Sequence, residues 1–546
     1  MKQRYSYLFA ILASLSLFFG SCSKGYLDTV PKGNFDENTL TKANGGTETI
    51  LQGIHGMMYQ YEFGQWFGNG IHSLNTRIDW ISDLYINTIP AYYMGIYRWT
   101  DHISPYGDMN LKTWDSWSTI IQHCNKVITL SKKESYDTEA HYNTVMAEAY
   151  MIRAYAESYL VQCFGKRYVP GGDNSGLGIV VRTEPTLEQK ARSTVEETYA
   201  QIDKDVENAL ALFEKVKEAK SLLKAKNRIN YSTAYGIAAR IYLGKQDYVQ
   251  AEKYATIAIN YAEKSGFAKL QSGKELLDGF NNSDAKEWMW AYKHSTDQNP
   301  YFSGWGCHYA YNFQVGGTQP QFAINRSYYD RMGEKDVRRN WFIARRMNAD
   351  GSLEPLKDLV DRLPEDVNYG AAFQLKRNGL PNFEYTGNQI KFRTLYGKGS
   401  SVMDAVFMRL GELYFIKAEA EARNGKEADA IKTLTSVMVT RDEGYQAKAG
   451  LAGQELLDEI LINKWIDLYY EGGVFFDQKR IGHFPERMKP ANIKYLEPAE
   501  SQKYAIRNAG DNALKIATSA DDIAWQFAIP YDEIKGNQLC KQNDLK

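Results

Sequence analysis

The sequence predicts a mainly α-helical protein: about four tetratricopeptide-like helix pairs forming a scaffold, with a loop-rich lobe and minor β structure. Three observations predict it. Apolar residues recur at helical spacing in several long segments, Gly or Asn closes many of them, and Ala falls where paired helices would touch. With 44% hydrophobic and 13% aromatic residues among 546, the chain can bury a large core.

The N-terminus carries Lys2 and Arg4, an apolar run from Tyr7 to Phe19, then Gly20-Ser21-Cys22. A run this short reads as a signal peptide, residues 1–21, and does not span a bilayer. The small residues before Cys22 resemble a lipobox, with Phe19 where Leu is more usual, so Cys22 is expected to carry lipid chains that hold the protein at a membrane. A polar tether, 22–38, follows. The N-terminal helical part, 39–285, opens with a helix expected over about Thr39 to Tyr61. Phe63 to Asp108 is dense in aromatics without lasting period and reads as loop.

Regular helices are expected from Leu111. WDSWSTIIQHCNKVITL pairs with HYNTVMAEAYMIRAYAESYLVQCFG, in which Ile152, Tyr155, Ala156, Tyr159 and Cys163 keep one face. TVEETYAQIDKDVENALALF follows Ser193, which can cap with Glu196 answering three residues on. A further pair sets Ile237, Ala238, Ile241 and Tyr242 against Tyr248, Ala251, Ala255 and Ala258. Residues 286–400 show Gly/Pro/Asn punctuation and short apolar runs, the pattern of a loop-rich lobe with minor strands. The C-terminal part, 401–546, returns to helices: Leu410, Leu413, Tyr414, Ala418 and Ala422 on one face, a stop at Asn424-Gly425, then Ala430, Ile431, Leu434, Val437 and Met438. A third run, Leu457 to Leu468, ends at Gly472-Gly473.

Composition and motifs exclude several functions. The 65 basic and 66 acidic residues balance, with no basic run for a phosphate backbone, so nucleic acid is not an expected partner. Nucleotide, zinc-protease and serine-hydrolase motifs are absent. Cys124, Cys163, Cys307 and Cys540 form no C-x-x-C, so neither a metal site nor a disulfide framework is indicated, and no cofactor is expected. Cys307-His308 are sequence neighbours, an arrangement that seldom aims the two side chains at each other. Binding remains. The 39 Tyr and 11 Trp supply flat rings that can cover the CH faces of sugars, while short polar side chains meet the hydroxyls. Two loops combine both: Asp79, Asp83, Tyr92, Tyr93, Arg98 and Trp99 in the first, and Asn299, Tyr301, Trp305, His308, Tyr309 and Tyr311 in the second. The same rings can instead pack loops onto helices.

RLGELYFIKAEAEARNG, then A-x-x-x-L at Ala430, L-x-x-E-G at Leu468 and F-D-x-x-R-x-G at Phe476, resembles the C-terminal signature of the SusD/RagB family. AEAYMIRAYAESYLVQCFG and the closing Ile529-Pro530 with Glu533 extend the resemblance over nearly the whole chain. It implies a SusD-like fold and a non-catalytic lipoprotein on the outer-membrane surface of Bacteroidetes. It also implies capture of oligosaccharide for a SusC-like TonB-dependent transporter. A helical-repeat lipoprotein that binds peptide or protein stays open as an alternative, as does a glycosidase with distant paired carboxylates.

Overall fold

The computed structural model describes residues 45–59, 70–87, 94–218, 224–294, 322–346, 348, 350–352, 354–362, 387–394, 402–483, 485 and 517–545. The long helices are α1 (Gly46–Tyr59), α2 (Gly70–Asp79), α3 (Asp108–Leu130), α4 (Glu139–Phe164), α5 (Val195–Val216), α6 (Tyr231–Gly244) and α7 (Tyr248–Lys264). After the irregular middle come α8 (Leu410–Arg423), α9 (Glu427–Arg441), α10 (Gly453–Asp467) and α11 (Val474–Ile481).

Each helix from α3 to α8 packs on the next, and α8 in turn receives α9 and α10. This is the stacked arrangement expected of helix pairs. The chain leaves the stack after α7 and returns to it at α8, which docks directly on α7. The α6–α7 turn places Gln246 at φ +63°, and the α8–α9 turn places Gly425 at φ +78°, a left-handed position that suits glycine. The contact alanines Ala238, Ala251, Ala255, Ala258, Ala418 and Ala430 are fully buried. α5 packs mainly along α4 and also meets α6.

Short strands form two sheets. β1 (Tyr85–Asn87), β3 (Phe322–Ile324), β5 (Asn388–Gln389) and β4 (Phe342–Ile343) lie in the order β1-β3-β5-β4, all antiparallel, and β2 (Trp288–Tyr292) pairs with β6 (Ala405–Arg409). One hydrophobic core runs from Leu51 to Cys540 and draws on the N-terminal, middle and C-terminal stretches alike.

Three local expectations change. The first helix is shorter than Thr39 to Tyr61 within the described residues. The stretch Phe63 to Asp108, read as loop, contains α2, β1 and a short helix, Met94–Tyr97. Ile71, Leu74 and Ile78 do fall on one face of α2, but that period is only three residues long, and the polar residues His72, Ser73, Asn75, Thr76, Arg77 and Asp79 between them are buried as well. The cap of α5 is Thr194 with Glu197, one residue beyond Ser193 and Glu196. Ser193 is engaged by its backbone, which accepts from Gly178 and donates to Ile179.

The signature stretch holds the middle and C-terminal parts together through buried charge. Arg409 bridges Glu287 (2.6 Å), Asp467 (2.9 Å) and Glu471 (2.7 Å), and Arg441 bridges Glu287 (2.6 Å) and Asp467 (2.9 Å). Arg338 pairs with Asp336, and Lys391 with Glu471. Four cations thus meet four carboxylates away from water, and the arginines hold the Asp467 carboxyl well below the usual range.

Candidate ligand-binding face

The described members of the first predicted site fasten the frame of the first loop. Asp79 ends α2 and is fully buried. Its Oδ1 accepts from the Phe475 N–H at 3.1 Å, supplying an acceptor to the start of α11, and burial pushes its carboxyl up to about 8. Asp83, 2% exposed, accepts from Tyr328 (2.8 Å), Gln478 (2.6 Å) and His483 (3.1 Å). Trp99 is fully buried, donates its indole N–H to the Ile81 carbonyl at 2.9 Å and meets Trp525 edge-on at 4.9 Å. Without solvent-facing surface, these three side chains offer a ligand nothing in this conformation. Arg98 is partly buried beside them. Tyr92, Tyr93, Asn299, Tyr301, Trp305, His308, Tyr309, Tyr311 and the lipidation residue Cys22 lie outside the described residues.

What the structure adds is where the aromatic-rich stretches are rooted. Gly70 sits against the end of α1, its backbone so close that a Cβ would fall 2.3 Å from the Met58 carbonyl oxygen. The described residues that flank 60–69, Tyr59 and Gly70, therefore lie side by side. There the Tyr59 ring stacks on Tyr292 (5.6 Å) and meets the edge of His294 (5.3 Å). His294 donates its N–H to Asp404 Oδ1 at 2.8 Å, and Ser283 donates to Oδ2 at 2.7 Å. His294, just before 295–321, and Asp404, shortly after 395–401, are thereby held together.

The far end of 295–321 is fixed too, because Phe322 pairs with Asn87 across β1 and β3 and stacks on Trp80 at 4.3 Å. That pairing brings it beside the start of 88–93. Both predicted loops consequently share a root, although they are some 200 residues apart in the chain. Tyr59, His294 and Asp404 were not singled out from the sequence. Tyr59 reads there as a helix end, and Asp404 has no motif around it. The Tyr59 hydroxyl has no hydrogen-bond partner among the described residues, and burial, with the nearby Asp404 charge, raises its pKa.

A cavity of about 70 Å³ lies where α2, α4, α6, α8, α10 and α11 meet, lined among others by Asn75, Tyr159, Arg240, Glu412, Lys464 and Asp477. Its charges are paired, Arg240 with Glu412 at 2.7 Å and Lys464 with Asp477 at 2.8 Å. At roughly 10–15 Å³ of such space per water it holds about five waters, well short of the ~300 Å³ of a small-molecule pocket. Among the described residues no group of His, Cys, Asp and Glu is placed to hold a metal ion, and no helix is long and apolar enough to cross a membrane.

Two family models match the chain. One, described as starch-binding and associating with the outer membrane, matches residues 26–243, and the SusD family model matches 237–545. No curated protein sequence matches it significantly. Among solved structures it is similar to a SusD-like carbohydrate binding protein from Bacteroides vulgatus, with 19% identity and a TM-score of 0.70 over 91% of this chain and 97% of that one. It is similar also to a putative sugar binding protein from the same species, with 20% identity and a TM-score of 0.70 over 92% and 98%. A SusD superfamily protein from Bacteroides thetaiotaomicron aligns at 19% identity and a TM-score of 0.69 over 92% and 99%. By the SusD model, which spans more than half of its length, the chain belongs to the SusD/RagB family of non-catalytic, outer-membrane-associated carbohydrate-binding proteins.

Proposed function

We propose that this protein captures oligosaccharide at the cell surface through its two aromatic-rich stretches and delivers it to a SusC-like TonB-dependent transporter, anchored by lipid on Cys22. The observation that carries this reading is the shared root: the stretch with Tyr92 and Tyr93 begins where the stretch with Asn299, Tyr301, Trp305, His308, Tyr309 and Tyr311 ends. Rings from both stretches can then reach one ligand. The described frame is packed: Trp80 stacks on Phe322, Trp99 hydrogen-bonds to Ile81, and Tyr292 stacks on Tyr59. A packed frame lowers the ordering cost of binding.

Each ring that removes ~50–100 Å² of sugar and protein apolar surface from water contributes about 1–2.5 kcal/mol at ~25 cal/mol/Å². Two or three such rings, less ordering costs, give affinities of roughly millimolar to tens of micromolar. A membrane-anchored array facing a repeating polymer strengthens this through avidity. The test is a glycan-array screen of residues 23–546 over plant, fructan and host panels. Binding of a glycan that is recovered uncleaved supports the reading. Silence across all panels at millimolar glycan, with a peptide library bound instead, contradicts it.

A further inference from the structure

We propose a second carbohydrate platform, made by the rings of Tyr106 and Tyr531 and sharing no residue with the two predicted loop sites. It rests on the carbohydrate-binding reading above, and the ligand class is a neutral pyranose unit of the captured glycan. Most large aromatic side chains among the described residues are turned into the core. These two are the most exposed, at 76% and 44%, and they touch each other: their centroids are 5.1 Å apart and their planes 32° apart. Tyr531 therefore backs one side of Tyr106 and leaves the other open to solvent.

The rings come from opposite ends of the chain, and the backbone that carries them is locked. The Tyr531 N–H donates to the Pro105 carbonyl at 2.9 Å, and the Ala528 N–H to the His102 carbonyl at 2.8 Å. The Asn110 amide joins the two turns again, donating to the Ser104 carbonyl (2.8 Å) and the Ala528 carbonyl (2.7 Å). Gly107, just after Tyr106, lies so near the Asp101 carbonyl that a Cβ would fall 2.1 Å from its oxygen, so the turn admits no larger residue. Asp101 in turn accepts from the Met109 N–H at 2.9 Å at the start of α3.

An exposed ring on a mobile loop must be ordered when it binds, whereas this backbone is ordered beforehand. Pro105, Gly107 and Pro530 flank the rings directly, and the nearby side chains that can meet hydroxyls are Ser104, Asp108 and Asp532, the two aspartates exposed. An open aromatic face beside carboxylates that accept from hydroxyls suits a sugar, with CH groups on its face and OH groups on its rim. A protein-docking centre would be ringed by apolar side chains instead. As a second point of contact, the platform would act by holding a long glycan at two points.

The test is native electrophoresis of the wild type, Tyr106→Ala, Tyr531→Ala and Tyr106→Trp through gels carrying soluble starch, xyloglucan, arabinoxylan, galactomannan or mucin. Thermal midpoints are read in parallel. The expected result is slowing of the wild type in at least one gel. Tyr106→Ala is then expected to show an apparent affinity roughly tenfold weaker, as loss of one stacking ring implies, with an unchanged midpoint and retention by Tyr106→Trp. Equal slowing of wild type and Tyr106→Ala overturns the platform while leaving the carbohydrate reading intact. No slowing of the wild type in any gel overturns both. Unchanged slowing, together with lost co-purification with an outer-membrane barrel, also overturns it and assigns the rings to a protein contact.

Discussion

Arg409 Nη2 donates to Asp467 twice, to the carboxylate Oδ2 at 2.9 Å and to the backbone carbonyl at 2.8 Å, with no solvent at either group. Arg409 is the last residue of β6 and Asp467 the last of α10, so this contact sets the angle between the strand that leads into α8 and the helix that packs on it.

Removing Arg409 would leave Glu287, Asp467 and Glu471 short of a buried partner, which typically costs about 3–5 kcal/mol. Arg409→Ala is expected to lower stability by that order in urea titration. Arg409→Lys should recover only part of it, because one ammonium cannot reproduce the guanidinium fork that spans three carboxylates.

Glu157 on α4 is fully buried, neither carboxylate oxygen has a hydrogen-bond partner among the described residues, and burial pushes its pKa up to about 8. Its folded pKa lies above the unfolded one, so its contribution is intact below about pH 4.5 and is lost as pH rises through about 8. Glu157→Gln carries no charge to bury. Its advantage over wild type should grow from pH 5 to pH 8 and then level off, reaching on the order of 3 kcal/mol at pH 7. Denaturant melts of both proteins across that range check it, and a pH-independent difference would refute it.

Lys479 shows the opposite slope. Its Nζ donates to the Gln162 (2.5 Å) and Gly165 (2.8 Å) carbonyls at the end of α4, and burial lowers its pKa to about 7. A depressed folded pKa makes the contribution full above about pH 10.5 and lost as pH falls through about 7. The stability gap between wild type and Lys479→Met should therefore widen in favour of wild type from pH 7 to pH 10, read by the same melts.

Trp99→Ala removes a fully buried ring from the contact with Trp525 and a hydrogen bond to Ile81. A large-to-small change of this kind costs about 3–5 kcal/mol. The expected outcome is a lowered thermal midpoint with glycan affinity of the folded fraction little changed.

The helix stack was largely legible in the sequence because its signals are local. Alanine at the α6–α7 and α8–α9 contacts, Asn424-Gly425 at a turn and the period of α8 all lie within a few residues of what they determine. α2 was not legible, since a ten-residue, mostly polar segment set among aromatic-rich flanks shows only three apolar positions at helical spacing. Trp99 was misleading for another reason: richness in rings marks a sugar site and a packed loop root equally, and only burial separates them. The ion network escaped because Arg409 meets Glu287 and Asp467 across long chain separations. The shared root of the two aromatic stretches depends on the β1–β3 pairing, which three-residue strands do not announce.

The measurement that tests the central claim most directly is calorimetry of the best array glycan against wild type, Tyr301→Ala and Trp305→Ala, with thermal midpoints alongside. The account predicts that each substitution weakens binding by roughly tenfold, the loss of one stacked ring, without lowering the midpoint. Undiminished affinity in both variants would contradict it and return those rings to packing.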